Sequence, residues 1–295
     1  MMLIASRSLK RTGSPAKQSA AAAMIIARSS SVRGSIRTTH LQNTASKAVL
    51  SSTENASITT SISTLSSRLT SWFGTEVSEK FQFGSSTRGT ILPRSIDSNS
   101  DIDYMVVFAD SQYKPQTYID KLKRFAENKY ASSEIAQSHP TVVLNLNHIR
   151  FELVPAIVQS YAGYQIPAPA SGYQDWLNTY PNTFNQQLTD ANKQHSNHIK
   201  PLVRIVKYWN AQNGYVFDSY GLEQHLVSHA SWHSSFKEYV YSAFDGLNVS
   251  ADVAQWRKDK VTRARQIVSN TRQYERDGMP DSAETEIKKL IPPIG

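Results

Sequence analysis

The chain contains no cysteine. That removes disulfides, thiolate metal sites and cysteine nucleophiles together, and points to a reducing compartment. No apolar run approaches the ~18 residues that a membrane-spanning helix needs, and the alanine-rich stretch 20–27 is far too short. Membrane partners are therefore not expected. Asp and Glu are absent from the first fifty residues, which hold eight Lys and Arg. This imbalance accounts for the whole net charge of +8, because 51–295 contain 24 basic and 24 acidic residues. Bulk basicity says nothing about the partners of the folded part.

Residues 1–50 are rich in Ser, Ala, Arg and Thr and show no sustained periodicity. They read as a disordered or targeting-like extension. An organelle transit peptide has the same composition, and a misassigned start upstream of Met24 is a third reading. From Ile58 an apolar face recurs at Ile62, Leu65, Leu69 and Trp72, predicting a helix that stops at Gly74. Val77–Phe83 and Asp101–Phe108 read as strands, 115–136 as an amphipathic helix, and Thr141–Leu146 and Ile149–Val154 as two more strands. After residue 165 the strands are expected to stop, with helices over 182–195, 197–213, 219–232 and 251–276. The division expected is an extension over 1–50, a mixed α/β half over 51–165 and a helical half over 166–295, the latter with a short flexible tail.

The chemistry is concentrated in Asp101-Ile102-Asp103. Side chains alternate along a strand, so both carboxylates leave one face. Adjacent carboxylates repel, and a divalent cation such as Mg²⁺ removes the conflict while also holding substrate phosphates. Glu152, between the apolar Phe151 and Leu153, offers a third carboxylate beside Arg150. Three such groups on neighbouring strands can hold two metals about 3.5–4 Å apart, the spacing for in-line phosphoryl displacement. An isolated DxD is more often a solvated strand edge, and Glu152 could equally pair with Arg150. What sharpens the reading is Gly84-Ser85 directly after a strand, 16 residues before Asp101. Gly lets backbone approach a ligand closely, and Ser and turn N–H groups can hold phosphate oxygens.

Gly84-Ser85-Ser86-Thr87-Arg88-Gly89-Thr90, then Asp101 to Val107, then Phe151-Glu152-Leu153-Val154-Pro155-Ala156 resemble the bacterial cGAS/DncV-like nucleotidyltransferases, also called CD-NTases or SMODS nucleotidyltransferases. Lys200 to Asn210 and Asp218 to Glu223 resemble later stretches of the same family, so the likeness runs over about 55–290. It implies an α+β fold: a polymerase-β-like core, with a small mixed sheet flanked by helices, followed by a helical domain. It also implies roles. Gly84 and Ser85 would grip the donor triphosphate; Asp101, Asp103 and Glu152 would be the catalytic metal ligands for two Mg²⁺ or Mn²⁺ ions; Lys207 and Ser219 would meet the outer phosphates. The third carboxylate is more commonly Asp in this family, so Glu152 is a departure. The reaction implied makes cyclic di- or trinucleotide second messengers from nucleoside triphosphates, ATP among them, in cytoplasmic anti-phage signalling. A mitochondrial location would follow only for a eukaryotic host with a true transit peptide. Two alternatives stand: linear nucleotidyl transfer to RNA, a small molecule or a protein, and a catalytically silent nucleotide- or RNA-binding scaffold.

Three further features stand out in the sequence. His225, His229 and His233 fall four apart, a metal-compatible spacing that a polar helix face explains more simply; His195 and His198 read the same way. The basic segment 257–276, with Arg257, Lys258, Lys260 and Arg263, could serve a nucleic-acid activator, although Asp259 and Glu275 fit a solvated helix. The terminal Gly295 would suit C-terminal conjugation by a ubiquitin-transfer-like enzyme, as in some family members.

Overall fold

A computed structural model describes residues 40–131, 133–138, 140–159, 163–168, 172 and 175–295. The expectation for residues 1–39 lies outside the described residues. Within the described part, 40–50 depart from the disordered reading. Residues 40–47 form a helix, α1, and its Leu41 and Ala45 are buried among the C-terminal helices. Burial of a few apolar side chains outweighs a composition that taken alone favours disorder.

Helix α2 (Ser52–Phe73) opens with a capping box: Ser51 Oγ accepts from the Glu54 amide, and Glu54 accepts from the Ser51 amide. Its buried face is Ile58, Leu65, Leu69 and Phe73. Trp72, expected on that face, is 39% exposed, and Phe73 takes the inward position. Gly74 ends the helix at φ +54°.

The strands are β1 (Val77–Phe83), β2 (Asp101–Phe108), β3 (Glu134–Ser138), β4 (Thr141–Asn145), β5 (Arg150–Val158), β6 (Tyr164–Pro167) and β7 (Trp176–Thr179). They form one mixed sheet in the order β1-β2-β5-β4-β3, with β6 joining β5 and β7 joining β6. Among the described residues only β2 and β5 run parallel, with Asp101 opposite Arg150 and Asp103 opposite Glu152. Ile102, Tyr104, Val106 and Phe108 pack on one face of the sheet against α2 and α4 (Pro115–Lys129). Met105 and Val107 join Val154 and Ala156 on the other face. The two aspartates share that second face, as period-two alternation requires.

Two expectations are corrected here. The helix expected over 115–136 ends at Lys129, because Ile135 and its neighbours pair with β4 instead. The strands do not stop at residue 165, since β6 and β7 extend the sheet to Thr179.

The helical half comprises α5 (Thr183–Gln194), α6 (Ile199–Gln212), α7 (Ser219–Ser228), α8 (Phe236–Gly246), α9 (Gln255–Arg276) and α10 (Pro280–Leu290). Helices α8 and α10 were not anticipated. The C-terminal tail is not loose: Ile291 is fully buried, its carbonyl meets His40 Nε2 at 2.9 Å, and Lys47 Nζ donates to the Ile294 carbonyl at 2.8 Å. Gly295 itself is exposed.

Candidate active site

Where β1 ends, Gly84 turns the chain into the single-turn helix α3 (Ser85–Arg88) at φ +74°, a conformation that favours glycine. A Cβ on Gly84 would fall 1.8 Å from Asp103 Oδ2. The missing side chain is thus what lets the Gly84-Ser85 backbone lie against the second aspartate.

Asp101 and Asp103 are half-buried and line a cleft of about 500 Å³, with Ser85, Arg88, Asp97, Asn99, Ser100, Arg150, Lys207, Tyr215, Ser219, Tyr220 and Glu223. Burial raises the pKa of Asp101, with repulsion from Asp103 and Glu152 adding to it and Arg150 and Lys207 opposing. Burial likewise raises Asp103, again with Glu152 adding. A buried carboxylate pair held up in this way is an under-neutralised site for a cation. The donor set suits a hard divalent ion, which takes carboxylate oxygens. The structure therefore supports Asp101 and Asp103 as potential holders of such an ion.

Glu152 stands in register beside Asp103 but does not face the cleft as a free ligand. Arg150 Nη2 donates to Glu152 Oε1 at 2.5 Å. Among the described residues no three Asp, Glu or His side chains converge closely enough to form a ready metal cage. The pairing with Arg150, the alternative to a metal-ligand role for Glu152, is the one observed. For Oε1 to serve a metal, Glu152 would have to exchange Arg150 for it. Arg150 Nε is buried with no partner in the structure, an orphaned donor at the cleft wall.

Lys207 reaches the cleft from α6, but its ammonium is 7% exposed and bonded to Glu223 Oε1 at 3.0 Å. An ammonium carries three donors, so this bond does not exhaust it. Glu223 is fully buried on α7 and also receives Arg88 Nε at 2.7 Å and Thr90 Oγ1 at 2.9 Å. Burial opposes ionisation of Glu223, yet Lys207 and Arg88 outweigh it and hold its pKa below the usual range. One carboxylate thus joins α3 to α6 and α7, fixing two cations at the cleft. Ser219 sits at the start of α7, whose N-cap Asp218 accepts from the Gly221 amide at 2.6 Å. Tyr220 is 47% exposed; its ring makes an edge contact with Phe184 at 5.6 Å and lies 5.4 Å from the Arg88 guanidinium.

Of the residues given a catalytic or nucleotide-binding role from sequence, all but Gly84 and Glu152 therefore line one cleft, and Gly84 abuts it. Arg88, Asp97, Asn99, Tyr215, Tyr220 and Glu223 were given no role from sequence. A sequence signal existed for Glu223, an acid four residues beyond Ser219 on one helix face. Its partner Arg88 lies 135 residues away, and no local pattern reports such a pairing. The histidines go elsewhere. His225 and His229 stack at 4.3 Å, while His233 and His198 pack on Tyr239. In α9, Arg272 is held by Asp245, and Arg265 bonds the Leu247 carbonyl.

Known proteins resemble this chain in sequence and in fold. A cyclic AMP-AMP-AMP synthase of an Acinetobacter species is 27% identical over 99 residues, which are 34% of this chain and 28% of that protein. A Bacillus cereus protein named as a probable cyclic nucleotide synthase is 27% identical over 131 residues, 41% of this chain and 39% of that one. The matches thus span well under half the length of these relatives. Among solved structures, Escherichia coli CdnC with ATP superposes with TM-score 0.64 at 14% identity, covering 85% of this chain and 96% of that one. Bradyrhizobium diazoefficiens CdnG with GTP gives 0.64 at 10% identity, covering 84% and 97%. At such identities these structures speak for the fold, an α+β polymerase-β-like core followed by helices. The family pattern of the Second Messenger Oligonucleotide or Dinucleotide Synthetase domain matches residues 37–192, more than half of the chain. The chain belongs to the SMODS family of bacterial CD-NTases.

Proposed function

We propose that this protein is a nucleotidyltransferase that joins ribonucleoside triphosphates into a cyclic di- or trinucleotide, with ATP among its substrates. The observation that carries the reading is the buried Asp101–Asp103 pair facing one cleft with the cations Arg88 and Lys207. The named activity of the Acinetobacter relative and the ATP and GTP complexes of the structural neighbours support the substrate class.

On this reading the residues around 77–179 carry the chemistry and the helical half closes over the nucleotide. Ser85 and Ser219 would bond phosphate oxygens, while Lys207 and Arg88 offset their charge from fixed positions. Gly84 would let backbone approach the phosphates beside Asp103. Such preorganised charge is the main catalytic resource of phosphoryl transfer. Asp101 and Asp103, joined by Glu152 once it leaves Arg150, would hold two Mg²⁺ or Mn²⁺ ions. Bound there, the ions would ease ionisation of the attacking ribose hydroxyl and stabilise the pyrophosphate leaving group. We place the activity in cytoplasmic anti-phage signalling on the strength of the family. A nucleic-acid activator at the basic α9 and conjugation through the exposed Gly295 belong to the same proposal.

The Arg150–Glu152 ion pair favours a second reading, a catalytically silent nucleotide-binding scaffold. The test is incubation of the full chain with four labelled ribonucleotides and Mg²⁺ or Mn²⁺, alongside Asp101→Ala/Asp103→Ala. A phosphatase-resistant product absent from the variant supports a cyclic product. A linear, phosphatase-sensitive product replaces ring closure by simple transfer. Nucleotide binding without turnover, with and without added DNA or RNA, favours the scaffold.

A further inference from the structure

The cleft holds two separate groups of side chains. One is the cationic cluster of Arg88, Lys207 and Glu223, with the exposed ring of Tyr220 beside Arg88. It suits the triphosphate and base of one nucleotide. The other group is Asp97, Asn99 and Tyr215. The Tyr215 hydroxyl donates to Asp97 Oδ1 at 2.5 Å and accepts from Asn99 Nδ2 at 2.9 Å. The Asn99 amide also donates to Asp97 Oδ1 at 3.0 Å.

This arrangement is built against backbone preference. Tyr215 follows Gly214 with both residues left-handed, at φ +57° and +77°. A bulky residue is rarely found there, and such strain gathers where surrounding structure holds a functional group in place. Burial, with help from Asp97, pushes the Tyr215 phenol up to about 12, so its proton stays on the bond to Asp97. The Asp97 turn also positions the reacting side: the Ser100 amide donates to the Asp97 carbonyl at 3.0 Å, immediately before Asp101.

The bonding pattern has a directional consequence. The Tyr215 hydroxyl is used both ways, and Asn99 gives it one of the two N–H donors of its side chain. Among the described residues, Asp97 Oδ2 and Asn99 Oδ1 make no bond to protein. Both are acceptors. Acceptors outnumber the one remaining Asn99 N–H on this wall, which favours an exocyclic amino group with its two N–H donors over uracil, whose single N3–H lies between two carbonyls. Adenine and cytosine bring an exocyclic amino group to the edge where uracil carries a carbonyl, and guanine brings N–H donors at another edge.

We propose that Asp97, Asn99 and Tyr215 form a base-selecting wall for the second nucleotide in the cleft, and that this wall favours an amino-bearing base over uracil. The proposal rests on the cleft's being a two-nucleotide site, as the proposed function requires. Asp97 and Asn99 make the contact; Tyr215 is the positioning residue that orients both.

The test is calorimetric binding of the unreactive α,β-methylene analogues of ATP and UTP to the full chain with Mg²⁺, which needs no turnover and no activator. The wild type is expected to bind two adenine analogues per chain, and the uracil analogue at least tenfold more weakly at the second site. In Asn99→Ala, and in the conservative Tyr215→Phe, the second site should lose about tenfold for the adenine analogue and little for the uracil one. The first site should be unchanged, and Ser219→Ala should show the converse. Retention of both sites in the variants, equal weakening of both, or equal affinity of the two bases at the second site overturns the proposal while leaving the proposed function standing. A single wild-type site overturns it too. No nucleotide binding at all takes the proposed function down with it.

Discussion

Gly84 and Asp103 occupy one space: a Cβ on the glycine would lie 1.8 Å from the aspartate's Oδ2. The residue that ends β1 and the carboxylate on β2 are therefore a single geometric unit, although 19 positions separate them. Gly84→Ala should displace Asp103 and also strain a backbone at φ +74°. We expect a fall in turnover on the order of 10²-fold, the scale of a small misplacement of a reacting group. Nucleotide turnover against thermal melting checks it: activity lost with a melt lowered by only a few degrees is the expected result, and an active variant would contradict the geometry.

Asp103 should show function and stability pulling apart. Burial and Glu152 raise its pKa, so its ionised form destabilises the metal-free fold at neutral pH. A raised carboxylate pKa means that the folded state takes up the proton more readily than the unfolded one. Metal-free stability should therefore rise as pH falls towards the unfolded value near 4. Asp103→Asn should abolish turnover yet be more stable than wild type by about 1 kcal/mol. Denaturant melts in chelator would read this; a variant less stable than wild type would show the carboxylate to be stabilising as it stands.

Glu223 carries the opposite sign. Lys207 and Arg88 overcome burial and depress its pKa. Its stabilisation is present above the unfolded glutamate value of about 4.3 and is lost as pH falls through the lower folded value. Glu223→Gln leaves two buried cations facing a neutral amide, at a cost of about 3–5 kcal/mol. Urea unfolding at pH 7 measures that cost. Repeated towards pH 3, the wild type should lose its advantage over the variant.

Arg150 holds Glu152 in a 2.5 Å ion pair, and on the proposed function it would compete with a metal for that carboxylate. Arg150→Gln should free the carboxylate and tighten Mn²⁺ binding by about tenfold, roughly 1.4 kcal/mol. Electron paramagnetic resonance of free Mn²⁺ gives the affinity directly. Unchanged affinity would place Glu152 outside the metal set.

Much of the sheet was legible locally. Asp101–Phe108 has the strand bounds expected from sequence, because alternation marks its start and the apolar run Met105–Phe108 is buried on both faces of the sheet. Ser235 and Glu238 also held a readable start signal for the unanticipated α8, and the Ser235 side chain accepts from the Glu238 amide. Other segments were decided by partners. Ile135 reads as the end of an amphipathic helix, yet Leu144 stands opposite it across a strand ladder; pairing overrides local propensity. Trp176–Thr179 is four residues long and is a strand only because β6 lies beside it.

The sequence by itself determined that two carboxylates share a face and that a glycine-serine turn precedes them, since both follow from strand periodicity and backbone sterics. Tertiary structure alone decided who neutralises whom. It brought Glu223 to Arg88, Tyr215 to Asp97 and the C-terminal Ile291 to α1, and it assigned Glu152 to Arg150. Three of these join residues more than a hundred positions apart, and the fourth turns on which way the Glu152 and Arg150 side chains point from one strand. Charges and hydrogen-bond donors choose partners by distance and burial in three dimensions, and spacing along the chain carries little record of either.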